Sequence, residues 1–211
     1  MRSALAYESI RQKHGELLGA MDGIIHAMSV VVETRDPYTA GHQKRVAVIA
    51  CAIGRVMELS EWDIEGIRIA GLLHDIGKLA VPAEILTKPG KINTTELSII
   101  KSHSQVSYDI LELIEFPWPV KQAVLQHHER LDGSGYPDGL SGDDIIIEAK
   151  ILSVADVVEA ISSHRPYRPA LGLEYAMREI IKQRGILFDP RVVDACLKLY
   201  EEKDADLEQL Q

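Results

Sequence analysis

Apolar positions recur at helical spacing in segment after segment of this chain. Over residues 1 to 33, Leu17, Leu18, Met21, Ile24, Ile25, Met28, Val31 and Val32 line up as an apolar stripe, predicting a long amino-terminal helix. Gly15, Gly19 and Gly23 weaken its first half. Asp36 and Pro37 punctuate it, and Thr39 can cap a second helix with Val46, Val48, Ile49, Ile53 and Val56 on its buried side. Ser60 and Asp63 predict the start of a third, packed through Trp62 and Ile64, which runs to Gly71. A breaker-rich connection, Val81 to Asn93, precedes a cap at Asn93 and Glu96 and one helix through Leu113. After Pro117 and Pro119 come a short helix to His128, a turn-rich loop to Gly142, and a strongly apolar helix from Ile145 to Ile161. Two more, near Leu171 to Arg184 and from Pro190 onward, complete an all-α pattern.

The chemistry concentrates in GLLHDIGK, Gly71 to Lys78, where His74, Asp75 and Lys78 share about one helical turn. Two potential metal ligands and a cation are costly to desolvate unless something pairs with them, and a metal supplies that pairing. The other candidates, His42, His103, His127, His128 and Asp156, are scattered. That spacing excludes a short zinc ribbon or an EF-hand and suits a bundle whose helices point ligands inward. Asp156, set among Val154, Ala155, Val157 and Val158, needs a hydrogen bond, an ion pair or a metal. His14 and His26 match no such pattern and read as surface or packing residues.

The ordered set of His42, the HD pair at His74 and Asp75, and HHERLDGSGYP at His127 to Pro137 resembles the HD-GYP subfamily of the HD metal-dependent phosphohydrolases. The resemblance runs roughly from Val32 to Ala170. It implies an HD-type helical bundle with an amino-terminal extension, divided here as a helical arm at 1–31, a phosphohydrolase domain at 32–203 and a charged tail at 204–211. It implies His42, His74, Asp75 and Asp156 around one divalent metal, and Asp75, His103, His127 and His128 around a second. Iron is the first expectation, with manganese or zinc as alternatives. Some family members carry a glutamate four residues before the first histidine and hold three metals; Tyr38 stands there, which favours two.

Cyclic di-GMP is the substrate the resemblance implies, opened to linear pGpG, with further cleavage to GMP left open. Asp75 and Lys78 are the expected catalytic pair, Lys78 as a charge on a phosphate oxygen, because an unshifted amine is a poor base at neutral pH. Arg45, Arg165 and Arg168 are candidate anion or supporting groups, the last two in SHRPYRPA, where His164 replaces the family's usual aspartate. Asp132, Gly133, Gly135, Tyr136 and Pro137 are expected to shape the substrate site. The alternatives are a catalytically weak nucleotide sensor and a protein-interaction output module.

Composition narrows the partners. With 211 residues the chain can bury roughly 70% of its unfolded surface, so a metal is not needed to supply a core. A formal charge of -9 argues against a DNA or RNA polymer but permits a local phosphate pocket. Cys51 and Cys196, both in apolar helical patterns, read as buried thiols of a reducing cytoplasm. No apolar run long enough to insert in a membrane is expected. The amino-terminal helix is expected either to cap its own bundle or to form a homodimer, and it suits connection to an upstream sensory domain or a diguanylate-cyclase partner.

Overall fold

The computed structural model describes residues 2–35, 40–163 and 170–202. The expectations for Tyr38, Thr39, His164, Arg165, Arg168 and the tail at 204–211 fall outside those residues. The fold is an all-α bundle with an amino-terminal helical extension, and the described residues form no sheet, only isolated bridges at Asp132 with Ser141 and Arg184 with Phe188.

The local signals act as elementary capping chemistry requires. α1 spans Arg2–Arg35, and α2 spans His42–Val56 after Gly41, whose φ of 72° suits a residue without a β-carbon. α3 (Glu61–Leu73) starts at Ser60, whose side chain accepts from the Asp63 amide at 3.2 Å. It ends just before His74, and a 3-10 turn, Ile76–Ala80, carries Lys78. A four-residue helix, α4 (Ala83–Leu86), lies inside the expected irregular connection.

Asn93 and Glu96 form a complete capping box, with both bonds at 2.9 Å. The single helix expected beyond it is two, α5 (Thr94–Lys101) and α6 (His103–Leu111). The break falls at Ser102, whose hydroxyl donates to the Ile99 carbonyl at 2.7 Å and so competes with the helix ladder. α7 (Val120–Gln126) and α8 (Ile147–Ser162) follow, then α9 (Leu173–Lys182) and α10 (Pro190–Glu201), the last with Pro190 in its first turn and Asp189 as its cap.

α2 is the hub, packing on α3, α8 and α10, while α7 bridges α3 and α8, and α6 packs on the 3-10 turn. Val46, Ile49 and Ile53 of α2, Ile67, Ile69 and Leu73 of α3, and Ile151, Leu152 and Val154 of α8 fill the centre. Burying a side chain of this size stabilises the fold by roughly 1.5–3 kcal/mol, so the bundle can hold polar ligands on its inner faces without being assembled by them. Trp62, expected on the packing face, is exposed and stacks on Trp118 with ring centroids 4.7 Å apart. Both cysteines are buried and neither is in a disulfide among the described residues, and burial pushes the Cys196 thiol up to about 12.

The stripe expected along α1 divides in two. Ile25 and Val32 are buried against α3 and the 3-10 turn, whereas Leu17, Met21, Ile24 and Val31 face outward. The 21-residue stretch Gly15–Arg35 is long and apolar enough, by length and composition, to cross a membrane. This corrects the expectation that no run reaches that length; the same stretch also gives Ile25, Ser29 and Val32 to the core.

Candidate metal centre

Helix ends bring the candidate ligands together. His42 opens α2, His74 follows α3, His103 opens α6, and His127 follows α7, all four buried. Placing ligands at termini lets adjacent residues point in directions that a continuous helix would separate, as His127 and His128 require. Two clusters result: His42, His74 and Asp75 in one, and His103, His127 and His128 in the other, with the ligand atoms of each within 4.8 Å of one another. Asp156 adjoins the first, its Oδ1 lying 3.3 Å from His42 Nε2.

Asp75 joins the two. Its Oδ2 lies 3.5 Å from His74 Nε2 and 3.8 Å from His42 Nε2, while its Oδ1 lies 3.4 Å from His103 Nε2. His103 Nε2 is in turn 3.5 Å from His127 Nε2. Lys78 donates to Asp75 Oδ2 at 2.7 Å. Burial would raise the Asp75 carboxyl, but the Lys78 ammonium above all, together with the surrounding imidazoles, outweighs it and holds it well below the usual carboxylate range.

Backbone carbonyls fix the histidine tautomers. His74, His103 and His127 each donate from Nδ1 to the carbonyl three residues earlier, at 2.7, 2.7 and 2.5 Å, on Gly71, Ile100 and Val124. A carbonyl can only accept, so the proton sits on Nδ1 and Nε2 offers its lone pair inward. Among the described residues, His74 Nε2 is buried without a hydrogen-bond partner. Buried lone pairs converging on an ionised carboxylate fit divalent cations and leave no comparable reason to exist in a purely structural site.

The two clusters differ in charge state. Burial lowers His103 and, more strongly, His127, and it takes His128 to about 3, so all three are neutral at pH 7. Burial also works to lower His42, but its bonds to Asp156 and Glu159 outweigh that and raise it to about 9. With protein groups alone, His42 therefore carries a proton at pH 7 that a cation must displace. Loading the chelator-treated chain with manganese at pH 7 is expected to release about one proton per chain, read from how the calorimetric heat varies with the buffer's ionisation enthalpy. Affinity at this cluster should rise with pH and level off above about 9. Heat independent of the buffer would contradict this.

Two supporting carboxylates escaped the sequence reading as site residues. Glu159, fully buried one turn after Asp156, accepts from His42 Nδ1, from Arg45 Nε and Nη2 at 2.9 and 2.6 Å, and from Ser163 Oγ at 2.7 Å. Its burial favours the neutral acid, yet these bonds hold it ionised, at about 2. The available signal was a second acid on the apolar helix at the spacing that shares a face with Asp156. Arg45, expected as an anion-binding or supporting group, is thus engaged behind His42. Glu129, also buried, accepts from the Asp138 and Gly139 amides at 2.8 and 3.1 Å and ties the glycine-rich loop to the end of α7.

That loop lies over the second cluster. Tyr136 stacks on His128 with ring centroids 4.7 Å apart, and Lys101 sits 4.8 Å from the Tyr136 ring centroid. Gly135 fits where a β-carbon would meet the Arg130 amide at 2.5 Å and the His128 carbonyl at 2.6 Å. Asp132 is turned to a local task, accepting from Ser134 N and Oγ at 3.0 and 2.6 Å, and Gly133 adopts a φ of 78°. Pro137 follows Tyr136 through a cis peptide bond.

Fold and site together define an all-helical HD scaffold suited to a two-metal centre. The family model for the HD domain matches residues 26–192, and the chain belongs to that family. It is related to the HD-GYP phosphodiesterases: it is 38% identical over 204 residues to a cyclic di-GMP phosphodiesterase response regulator of Xanthomonas campestris, covering 90% of this chain and 54% of the relative. It is 37% identical over 178 residues to a 3'3'-cGAMP-specific phosphodiesterase of Vibrio cholerae, covering 84% of this chain and 39% of that protein. The chain therefore spans about half or less of the length of these curated relatives. A solved cyclic GMP-AMP phosphodiesterase from V. cholerae shares the fold, with a TM-score of 0.68 and 20% identity over 89% of this chain and 50% of the other.

Proposed function

We propose that this chain is a metal-dependent phosphodiesterase that hydrolyses a cyclic dinucleotide, with cyclic di-GMP as its substrate. The observation that carries this reading is Asp75, whose two oxygens face separate clusters of inward lone pairs. Relatives named for cyclic di-GMP and for 3'3'-cGAMP support the substrate class. His42, His74, Asp75 and Asp156 would hold one cation, and Asp75, His103, His127 and His128 the other. The all-nitrogen and oxygen donor set, without thiolate, suits iron or manganese and admits zinc.

Two divalent cations held there would supply an acidified water and electrostatic stabilisation of the attacking and leaving oxygens. The protein's own part is placement. Asp75 sets the separation of the clusters, and the backbone carbonyls hold the imidazoles in the donor tautomer. Glu159 orients His42, and His42 with Ser163 and Arg45 keeps Glu159 ionised. Lys78, mostly buried beside Asp75, places an ammonium where a nonbridging phosphate oxygen can be neutralised. Tyr136 offers a base-stacking surface at the rim. Attack of water on phosphorus breaks the bond to the ribose oxygen, which takes a proton; one water is consumed per phosphodiester opened. The first product is linear pGpG, and a second cut gives GMP.

Lys78→Met should leave both metals bound and lower turnover by about 10- to 100-fold, the loss expected for one charged transition-state contact. Unchanged turnover at full metal occupancy would remove Lys78 from the chemistry. Substrate choice is tested by giving the metal-loaded chain cyclic di-GMP and 3'3'-cGAMP in competition and separating the products. Preferential pGpG release is expected; preferential cleavage of the mixed dinucleotide would reassign the substrate, and tight binding without product would make the chain a sensor.

A further inference from the structure

The outward half of the α1 stripe carries a surface that the proposed chemistry does not use. Leu17, Met21, Ile24 and Val31 are 69%, 42%, 62% and 52% exposed, while Met28 lies half-buried between the two stripes. Their successive separations of four, three, four and three residues make an unbroken heptad seam. In the sequence the count continues through Ile10 and Tyr7, with His14 as the polar residue at one seam position. α1 is 34 residues, about 50 Å at the helical rise, which allows four heptads.

We propose that this seam is a parallel, in-register coiled-coil interface with a second copy of the same chain. Val30, 44% exposed, lies off this seam, so what favours one helix as occupant is the unbroken heptad spacing rather than the width of the apolar face. The flanking residues favour this particular chain. In a parallel pair, the position before each seam residue of the first kind lies across from the position after the next seam residue on the other helix. Here Ala20 would face Ile25 of the second copy, and Ala27 would face its Val32. Ile25 and Val32 are the residues by which α1 packs on its own domain, so the second copy's domain sits against that flank. Only small side chains leave room for it, and alanine stands at both places, exposed.

The seam between Leu17 and Val31 carries no charge, so like can pair with like without repulsion. The side of α1 facing its own domain is separately tied down, with Arg68 donating to Asp22 at 2.6 Å. α1 therefore meets its own bundle and a second helix along two lines that share Met28, which packs partly on its own core.

Light scattering on the full chain is expected to give twice the 23.4 kDa chain mass, and Leu17→Glu with Ile24→Glu should halve the measured mass. Both positions are exposed, so the variant should still unfold in one cooperative transition, now with a midpoint independent of chain concentration, which shows that the bundle is intact. Ile24→Cys should form a covalent dimer on mild oxidation, whereas His26→Cys, off the seam, should not. A monomeric parent, a dimer that survives the double substitution, or a dimer that fails to cross-link through position 24 would each overturn the proposal. Monomers that instead sediment with anionic phospholipid vesicles would assign the stripe to a membrane.

Discussion

Asp75→Asn is expected to abolish loading of both clusters together and to lower turnover by well over 100-fold. Replacing a partner that merely orients a ligand typically costs about 10- to 100-fold. Asp75 does more, since its Oδ1 faces His103 and its Oδ2 faces His42 and His74. Asparagine keeps the shape but replaces one oxygen with an amide nitrogen that has no lone pair to give, and it removes the charge that balances Lys78. The bundle should remain folded, because its core is apolar and independent of the site. Metal content per chain and product release, measured on the same sample, check this. Parent-level values of both would remove Asp75 from the centre of the site.

Gly77→Ala should have the second large effect, through packing. A β-carbon at Gly77 would collide with the His103 carbonyl and meet the Ser107 amide at 2.6 Å, both backbone atoms of α6 that no rotamer change can move. The Gly77 amide also donates to Ser107 Oγ at 2.7 Å, and that hydroxyl donates to the His74 carbonyl at 3.1 Å. Any relief must push α6 off the 3-10 turn and carry His103 away from Asp75. Overpacking of this kind costs about 1–3 kcal/mol, or a fall in Tm of roughly 2–12 °C for a chain of this size. Turnover should drop more than tenfold at a temperature where the variant remains folded. A variant with parent Tm and parent turnover would show that α6 is not held as the structure has it.

Much of this was legible from residue types and spacing because the signals were local. Ser60 with Asp63, and Asn93 with Glu96, are capping patterns complete within four residues, and each starts the helix it predicts. Asp156 stood out because an acid among valines must find a partner. What the sequence could not show depends on tertiary arrangement. The Ser102 break, which places His103 at a helix start, is one hydroxyl bonding to a nearby carbonyl inside an otherwise uniform helical pattern. The engagement of Arg45 by Glu159 joins residues 114 positions apart. The division of the α1 stripe into an inner and an outer line needed the position of α3, since both lines obey helical spacing.

The proposed hydrolytic site is a two-metal centre made of two clusters joined through Asp75. It is tested most directly by loading the chain with iron under reducing, oxygen-limited conditions, counting metals per chain, and analysing the same sample chromatographically after incubation with cyclic di-GMP. Two metals per chain together with pGpG is the predicted result. Two bound metals with the dinucleotide left intact, or pGpG formed at the same rate after the metals are stripped, would contradict it.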